Sequence, residues 1–215
     1  MGMVLLVRHG QASFGADDYD VLSETGVEQS RVLGRSLADQ GLVATAVVHG
    51  AMRRQRDTAT ALVEGAGWSV TPHADGGWAE FDHVGMVARA AAGQDLADRR
   101  TFQRVFEEAT ARWSGGGHDE DYDEPWPAFL GRARAALDRA FAGDGLTIAV
   151  TSGGPIAVLC AGLVDPGDDS ARLWTSFNTV IANASVTRVL QGSTGRRLLS
   201  FNEHSHLPRE LVTYR

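Results

Sequence analysis

Residues 4–15 read VLLVRHGQASFG, a short apolar run that ends abruptly in Arg8, His9 and Gly10. A neutral imidazole is a nucleophile, and a guanidinium beside it presents a planar fork of donors that matches phosphate. Residues 150–155 read VTSGGP, a second apolar run that breaks into Ser152, Gly153 and Gly154 before Pro155. Proline suits the first turn of a helix, so this stretch reads as a strand feeding a helix through a small-residue turn. The N–H groups and the dipole at such a helix start form a natural anion site. Residues 49–62, HGAMRRQRDTATAL, put Arg53, Arg54 and Arg56 at a further strand-to-helix junction. Cations are unfavourable at the positive end of a helix dipole, and an anion beside them explains their presence. In an open α/β sheet, ligands gather at the carboxyl ends of strands. If the strand ending at Val7 neighbours the strand ending at Val150, then Arg8, His9 and the Gly-Gly turn share one pocket. That pocket is a phosphate site with a nucleophile in it.

These side chains need a frame. Val4–Val7, Ala44–Val48 and Leu146–Val150 read as buried strands, and Val186–Leu190 and Leu198–Phe201 as late strands joined by a glycine-containing turn. Ser23 is the N-cap of a helix that carries Leu33 and Leu37 on one face. Residues 52–64 and Pro155–Leu163 read as helices. Phe102, Val105, Phe106 and Ala109 recur at helical spacing, as do Phe129, Ala133, Ala136, Leu137 and Ala140. Alternating strands and helices with buried strands predict an α/β fold, a three-layer α/β/α sandwich on a mostly parallel central sheet. The expected organisation is a single domain over 1–215, with a variable helical and loop excursion at about 84–124. The stretch SGGGHDEDYDEPWP, 114–127, reads as a surface loop within that domain. Its five acidic residues are expected to be solvated, since their spacing fits no calcium loop.

Composition narrows the function classes. The 215 residues carry a net charge of −7, which argues against wrapping nucleic acid or an anionic membrane. Every basic side chain besides histidine is arginine, because the sequence has no lysine. An anion site here is therefore built from Arg, His and backbone N–H groups. Cys160 is the only cysteine and sits in the apolar run IAVLCAGL, so a core role in a reducing cytoplasm is expected. Asn183-Ala-Ser matches a glycosylation pattern, with no other sign of secretion. No apolar run reaches transmembrane length.

Seven stretches, in order, give the chain a family resemblance: LLVRHGQAS (5–13), LSETGVEQS (22–30), MRRQRDTA (52–59), WAEFDH (78–83), VTSGGPIAVL (150–159), and NASVTRVL with FNEHSHL (183–190 and 201–207). The chain resembles the histidine phosphatase superfamily, the phosphoglycerate mutase-like proteins. The resemblance implies that His9 is the nucleophile that becomes phosphohistidine, and that Arg8 holds the phosphoryl group beside it. It implies that Arg54, four residues before Thr58-Ala59, is the second phosphate arginine. Glu80 matches the acid that protonates the leaving oxygen. Ser152, Gly153 and Gly154 complete the phosphate cradle. No metal or other cofactor is implied, and the partner is a small phosphorylated metabolite; homodimerisation is left open.

One position departs from the family pattern. Ser152 stands where the family has a histidine, which normally gives the transferring phosphoryl group a charged donor. A serine donates one neutral hydrogen bond, and losing one preorganised donor costs about 10²–10³ in rate. His83, three residues after Glu80, and His49, before the arginine segment, are the candidates to compensate; the alternative for each is an ordinary loop or strand-end residue. His204 and His206 are expected at the rim or in a structural role. The leading expectation is a metal-independent phosphatase acting on a small phosphate ester through phosphohistidine. The alternatives are a phosphoglycerate mutase-type phosphotransferase, and a phospho-ligand binding or regulatory protein with little turnover.

Overall fold

The computed structural model describes residues 2–13, 20–91, 93, 95, 96, 98–167 and 170–214. In chain order it contains β1 (Gly2–Arg8), α1 (Glu24–Asp39), β2 (Ala46–His49), α2 (Arg53–Ala66), β3 (His73–Ala74), α3 (His83–Ala90), α4 (Arg99–Ser114), α5 (Trp126–Ala140), β4 (Leu146–Thr151), α6 (Gly153–Val164), α7 (Ser170–Asn178), β5 (Val186–Gly192) and β6 (Gly195–Glu203). Contacts divide the chain into two units: Met1–Glu80 with Ala133–Arg215, and Phe81–Arg132. The excursion expected at 84–124 falls inside the second unit. No helix among the described residues is long and apolar enough to cross a membrane.

The first unit is built on a six-stranded sheet of order β3-β2-β4-β1-β5-β6. β1 pairs in parallel with β4, β4 with β2, and β2 with β3. β5 and β6 add an antiparallel hairpin to the other side of β1. The expected mixed α/β fold is therefore present, with the parallel strands on one side of β1. Leu5, Val7, Val47, Ile148 and Val150 pack in one cluster with Leu33 and Leu37 of α1 and Ala59, Leu62 and Val63 of α2. Val4 and Leu6 alternate to the opposite face and are equally buried. There α6, whose residues from Gly153 to Ala161 are all buried, packs against β1, β6 and α7. Burying both faces explains why β1 reads as an unbroken apolar run from Val4 to Val7, and β4 as one interrupted only by Thr147 between Leu146 and Val150. Each fully buried Val, Leu or Ile side chain contributes about 1.5–3 kcal/mol.

Two close approaches fix the positions of α1 and α2. A Cβ on Gly34 would lie 2.1 Å from the Leu62 carbonyl, and one on Gly65 would lie 2.4 Å from the Arg31 carbonyl. Only glycine lets the two helix backbones meet there. A similar contact presses the end of β1 against α1: Cβ atoms on Gly10 and Gly26 would lie 2.4 Å from Gly26 O and 2.2 Å from Gln11 O. Ser23 caps α1 as expected, its Oγ accepting from Gly26 N at 3.0 Å.

The second unit has its own core. Phe81 stacks on Trp113 at 5.0 Å, and Trp126 and Phe129 meet Trp113 at 5.0 and 5.2 Å. Val87, Ala91 and Val105 of α3, α4 and their connection form a second cluster, joined by Leu96 and Phe106. The acidic stretch contains a 3-10 turn at Asp119–Asp121 and runs into α5. Within it, Asp121 pairs with Arg112, and Glu124 pairs with Arg132 at 2.6 Å.

Candidate active site

The sheet order decides where chemistry can gather. From β1 the chain crosses to β2, on one side, and from β4 it passes through α6 and α7 to β5, on the other. The connections diverge above the adjacent carboxyl ends of β1 and β4, which is where an open α/β sheet leaves a crevice. Arg8 pairs with Thr151 as the last rung of the β1–β4 ladder, and His9 N–H donates to Thr151 O at 2.9 Å. His9 and Ser152 therefore leave their strands side by side, as the sequence required of a shared pocket.

His9 is buried and held from two directions. Its Nδ1 lies 2.7 Å from Gly10 O, and its Nε2 lies 3.1 Å from Nε of Arg54. A carbonyl accepts only, so Nδ1 carries the proton; an arginine Nε–H donates only, so Nε2 presents a lone pair. The ring is thus a neutral imidazole with its nucleophilic nitrogen facing a cation. Its pKa lies well below the ordinary histidine value, first because burial penalises the charged ring, then because Arg8 and Arg54 repel a second positive charge; the Gly10 carbonyl pulls the other way.

The loop that carries His9 is tied down on all sides. Gly10 N–H donates to Thr58 Oγ1 at 2.9 Å, and that hydroxyl donates to Arg54 O at 2.7 Å. Asn183 Nδ2 donates to His9 O at 3.1 Å. Asn183 is fully buried, so the apparent glycosylation triplet is a structural clamp. Ala184 beside it holds a positive φ of 53° and gives its N–H to Arg8 O at 3.0 Å. An L-residue in that region stores roughly 1–2 kcal/mol of strain, located here against the nucleophile's backbone.

Arg54 is buried, while Arg53 and Arg56 beside it are exposed. Besides His9, Arg54 bonds Asp20 Oδ1 at 2.9 Å through NH1. Asp20 Oδ2 also accepts from Arg53 N at 2.8 Å, so a carboxylate sits at the start of α2. That anion balances the arginine cluster at the positive end of the helix dipole. Arg8 NH1 donates to the Ile181 carbonyl and to Tyr214 O at 3.3 Å, anchoring the C-terminal segment while its charge reaches His9.

Glu80 and the Gly-Gly turn meet directly. Gly154 N–H donates to Glu80 Oε2 at 3.2 Å, so a carboxylate occupies part of the anion site at the start of α6. The helix begins at Gly153 with Ser152 as N-cap, two residues before the expected start at Pro155. Pro155 is tolerated because first-turn N–H groups have no intrahelical partner. Ser152 does not cap the helix with its side chain. Its Oγ instead accepts from Gln55 Nε2 at 2.9 Å. The site thus includes Gln55, Asn183 and Asp20, none of which sequence reasoning gave a site role. Gln55 carried a local sign: Gln at the third position of a helix is a capping-box residue.

No bond described for either candidate compensating histidine joins it to this cluster. His49 ends β2 and its Nδ1 sits 2.7 Å from Gly50 O; no side-chain bond described for it reaches His9, Ser152 or the arginines. His83 opens α3 in the second unit and meets the edge of Phe81 at 5.9 Å. His204 Nδ1 lies 2.7 Å from Asn202 O, and His206 Nε2 lies 3.1 Å from Ala184 O. Cys160 is buried, which pushes its thiol up to about 12 and keeps it out of nucleophilic chemistry. Among the described residues no group of three His, Cys, Asp or Glu is arranged to hold a metal ion.

The model of the histidine phosphatase superfamily (branch 1) matches residues 4–204. No curated protein sequence matches the chain significantly. Among solved structures, phosphoserine phosphatase from Entamoeba histolytica superposes with a TM-score of 0.70 at 17% identity, covering 97% of this chain and 100% of that one. The mycobacterial glucosyl-3-phosphoglycerate phosphatase solved with VO3 gives 0.66 at 21%, covering 94% and 99%. Phosphoglycerate mutase from Bacillus anthracis gives 0.65 at 20%, covering 95% and 94%. At these identities the likeness is one of fold.

Proposed function

The chain belongs to the histidine phosphatase superfamily, and from that premise we propose that it hydrolyses small phosphate monoesters through a phosphohistidine at His9. The observation that carries the proposal is the ring of His9: neutral, with the proton on Nδ1 and the Nε2 lone pair beside Arg54 at 3.1 Å. In the first step Nε2 attacks phosphorus, the bond from phosphorus to the ester oxygen breaks, and Glu80 delivers a proton to the departing alkoxide. The Nδ1 proton stays on the ring, where Gly10 O offsets the positive charge that develops. In the second step a water attacks phosphorus, its proton passes to Glu80, and the phosphorus–nitrogen bond breaks to restore His9.

Arg8 and Arg54 neutralise the equatorial oxygens, which is the main demand of phosphoryl transfer. A phosphate dianion entering the site competes for the Gly154 N–H that Glu80 now holds. Losing that donor and gaining an anionic neighbour both favour the protonated carboxyl, as a general acid needs. Ser152 supplies a neutral donor and the backbone of Gly153 and Gly154 lines the same end. No step requires a metal.

Phosphate release from an aryl phosphate and from a panel including phosphoserine and 3-phosphoglycerate, without added metal, tests the proposal. Turnover abolished by His9→Ala, with one phosphoryl group trapped on wild-type protein by rapid quench, is expected. Transfer of that group to a second alcohol in place of water would make the protein a mutase. The neutral Ser152 is the feature that favours a second reading, a phospho-ligand binder with little turnover. Tight vanadate binding without release from any ester would establish it.

A further inference from the structure

We propose that Gln55 is a positioning residue that fixes the polarity of the Ser152 hydroxyl, so that serine acts as an obligate donor to the phosphoryl group. The proposal rests on the phosphate-site reading given above. Gln55 is completely buried on the first turn of α2. Its amide has one orientation, because Oε1 accepts from Met52 N at 3.2 Å. The amine end must then face the other way. It donates to Ser152 Oγ at 2.9 Å and to Trp78 O at 3.3 Å. Thr151 Oγ1 also donates to Trp78 O, at 2.6 Å, which holds that carbonyl in place.

The consequence falls on one proton. Ser152 is 1% exposed, and its hydroxyl both donates and accepts. The amine of Gln55 cannot accept, so Ser152 meets it through a lone pair. Among the described residues no group accepts the Ser152 proton. Serine at an N-cap ordinarily uses its oxygen to cap the helix. Here Glu80 takes the Gly154 N–H and Ser152 makes no side-chain cap. A buried hydroxyl that accepts from a fixed amide and has no acceptor for its proton among the described residues is a preset donor, strengthened by the bond it receives. Consecutive residues of one helix turn thus serve the two strand ends: Arg54 bonds His9, and Gln55 bonds Ser152. A free serine rotor would lose part of its value to reorientation, and Gln55 removes that loss.

A double-mutant cycle on Gln55 and Ser152 decides the question, read by orthovanadate affinity and by kcat and KM on the aryl phosphate. Ser152→Ala should weaken vanadate binding and lower kcat by about 10²-fold, with KM changed less. Gln55→Ala should lower both by about 10-fold in the wild-type background and by less than about 2-fold in Ser152→Ala. Equal losses in both backgrounds would mean that Gln55 acts only by holding α2 and Arg54, and would overturn the proposal. Gln55→Met, which keeps the volume and removes both N–H donors, carries the same expectations if Gln55→Ala fails to fold. Because vanadate needs no turnover, the cycle is readable even in a slow enzyme. A wild type that neither binds vanadate nor releases phosphate would remove the phosphate-site reading and this proposal together. Vanadate binding with additive losses would remove this proposal alone.

Discussion

Two arginines one residue apart have opposite surroundings. Arg54 is buried against His9, and Arg53 is exposed. Arg54→Ala should weaken inorganic phosphate binding by roughly 10- to 100-fold, the worth of about 1.5–3 kcal/mol for a charged hydrogen bond. Arg53→Ala should cost less than about 3-fold, as an exposed charge does. Titration calorimetry with phosphate separates them, and equal losses would mean that Arg53 also reaches the ligand. His9 adds a pH signature. Its folded-state pKa is depressed, chiefly by burial, from an ordinary value of about 6.5. Between those two values the unfolded chain binds a proton that the folded chain refuses, so stability falls as the pH drops through that window and is unaffected above it. His9→Gln should flatten the acid side of a Tm-against-pH curve from about pH 6.5 downward. An unchanged acid limb would show that the ring is not held neutral. His206 is depressed in the same direction by burial, so the limb should flatten without vanishing.

At the scale of elements, glycine-to-alanine changes should have opposite signs at two helical positions. A Cβ on Gly26 in α1 would press on the Gln11 backbone at 2.2 Å, whereas one on Gly131 in α5 would meet open space. Gly26→Ala should cost about 1–3 kcal/mol and also lower kcat, because the displaced backbone carries Gly10 and hence the His9 ring. Gly131→Ala should stabilise by about 0.5–1 kcal/mol through helix propensity. Chemical denaturation measures both, and a neutral Gly26→Ala would mean that the loop beyond His9 adapts freely. The same packing explains what the sequence disclosed. Val4–Val7 and Leu146–Val150 were legible because strands covered on both faces are nearly all apolar, the one exception, Thr147, giving its hydroxyl to Ala140 O. β3 was not, because its two residues are exposed and carry no pattern. The start of α6 was missed because Gly153 and Gly154 have low helix propensity and hide the first turn. His9, Arg54, Glu80 and Ser152 could be named from motifs and order. Gln55 could not, because the partner that gives it meaning lies 97 residues away and is brought near by the β2–β4 pairing, from whose strands α2 and Ser152 follow.

At the scale of the whole molecule, the chain divides into two units, Met1–Glu80 with Ala133–Arg215 and Phe81–Arg132, each with apolar clusters of its own. The sheet core gathers residues of β1, β2, β4, α1 and α2, and the aromatic core gathers Phe81, Trp113, Trp126 and Phe129 within Phe81–Arg132. Trp113 is the hub of the second: it is 1% exposed, touches all three other rings, and gives its indole N–H to Glu124 O at 2.9 Å. Trp113→Ala removes a large buried ring and strands that carbonyl, a loss of about 3–5 kcal/mol. Separate cores make separate opening units, because each loses its own burial when it opens. Hydrogen exchange should therefore rise across Phe81–Arg132 in Trp113→Ala, while amides of β1 and β4 keep their protection. Phosphate affinity should hold, since Arg8, His9, Arg54 and Ser152 all lie in the sheet unit. Loss of protection in β1 and β4 to the same extent would mean that the aromatic cluster and the sheet open as one cooperative body. In that case activity would fall with the ring, and the phosphate site would owe its order to residues outside its own unit.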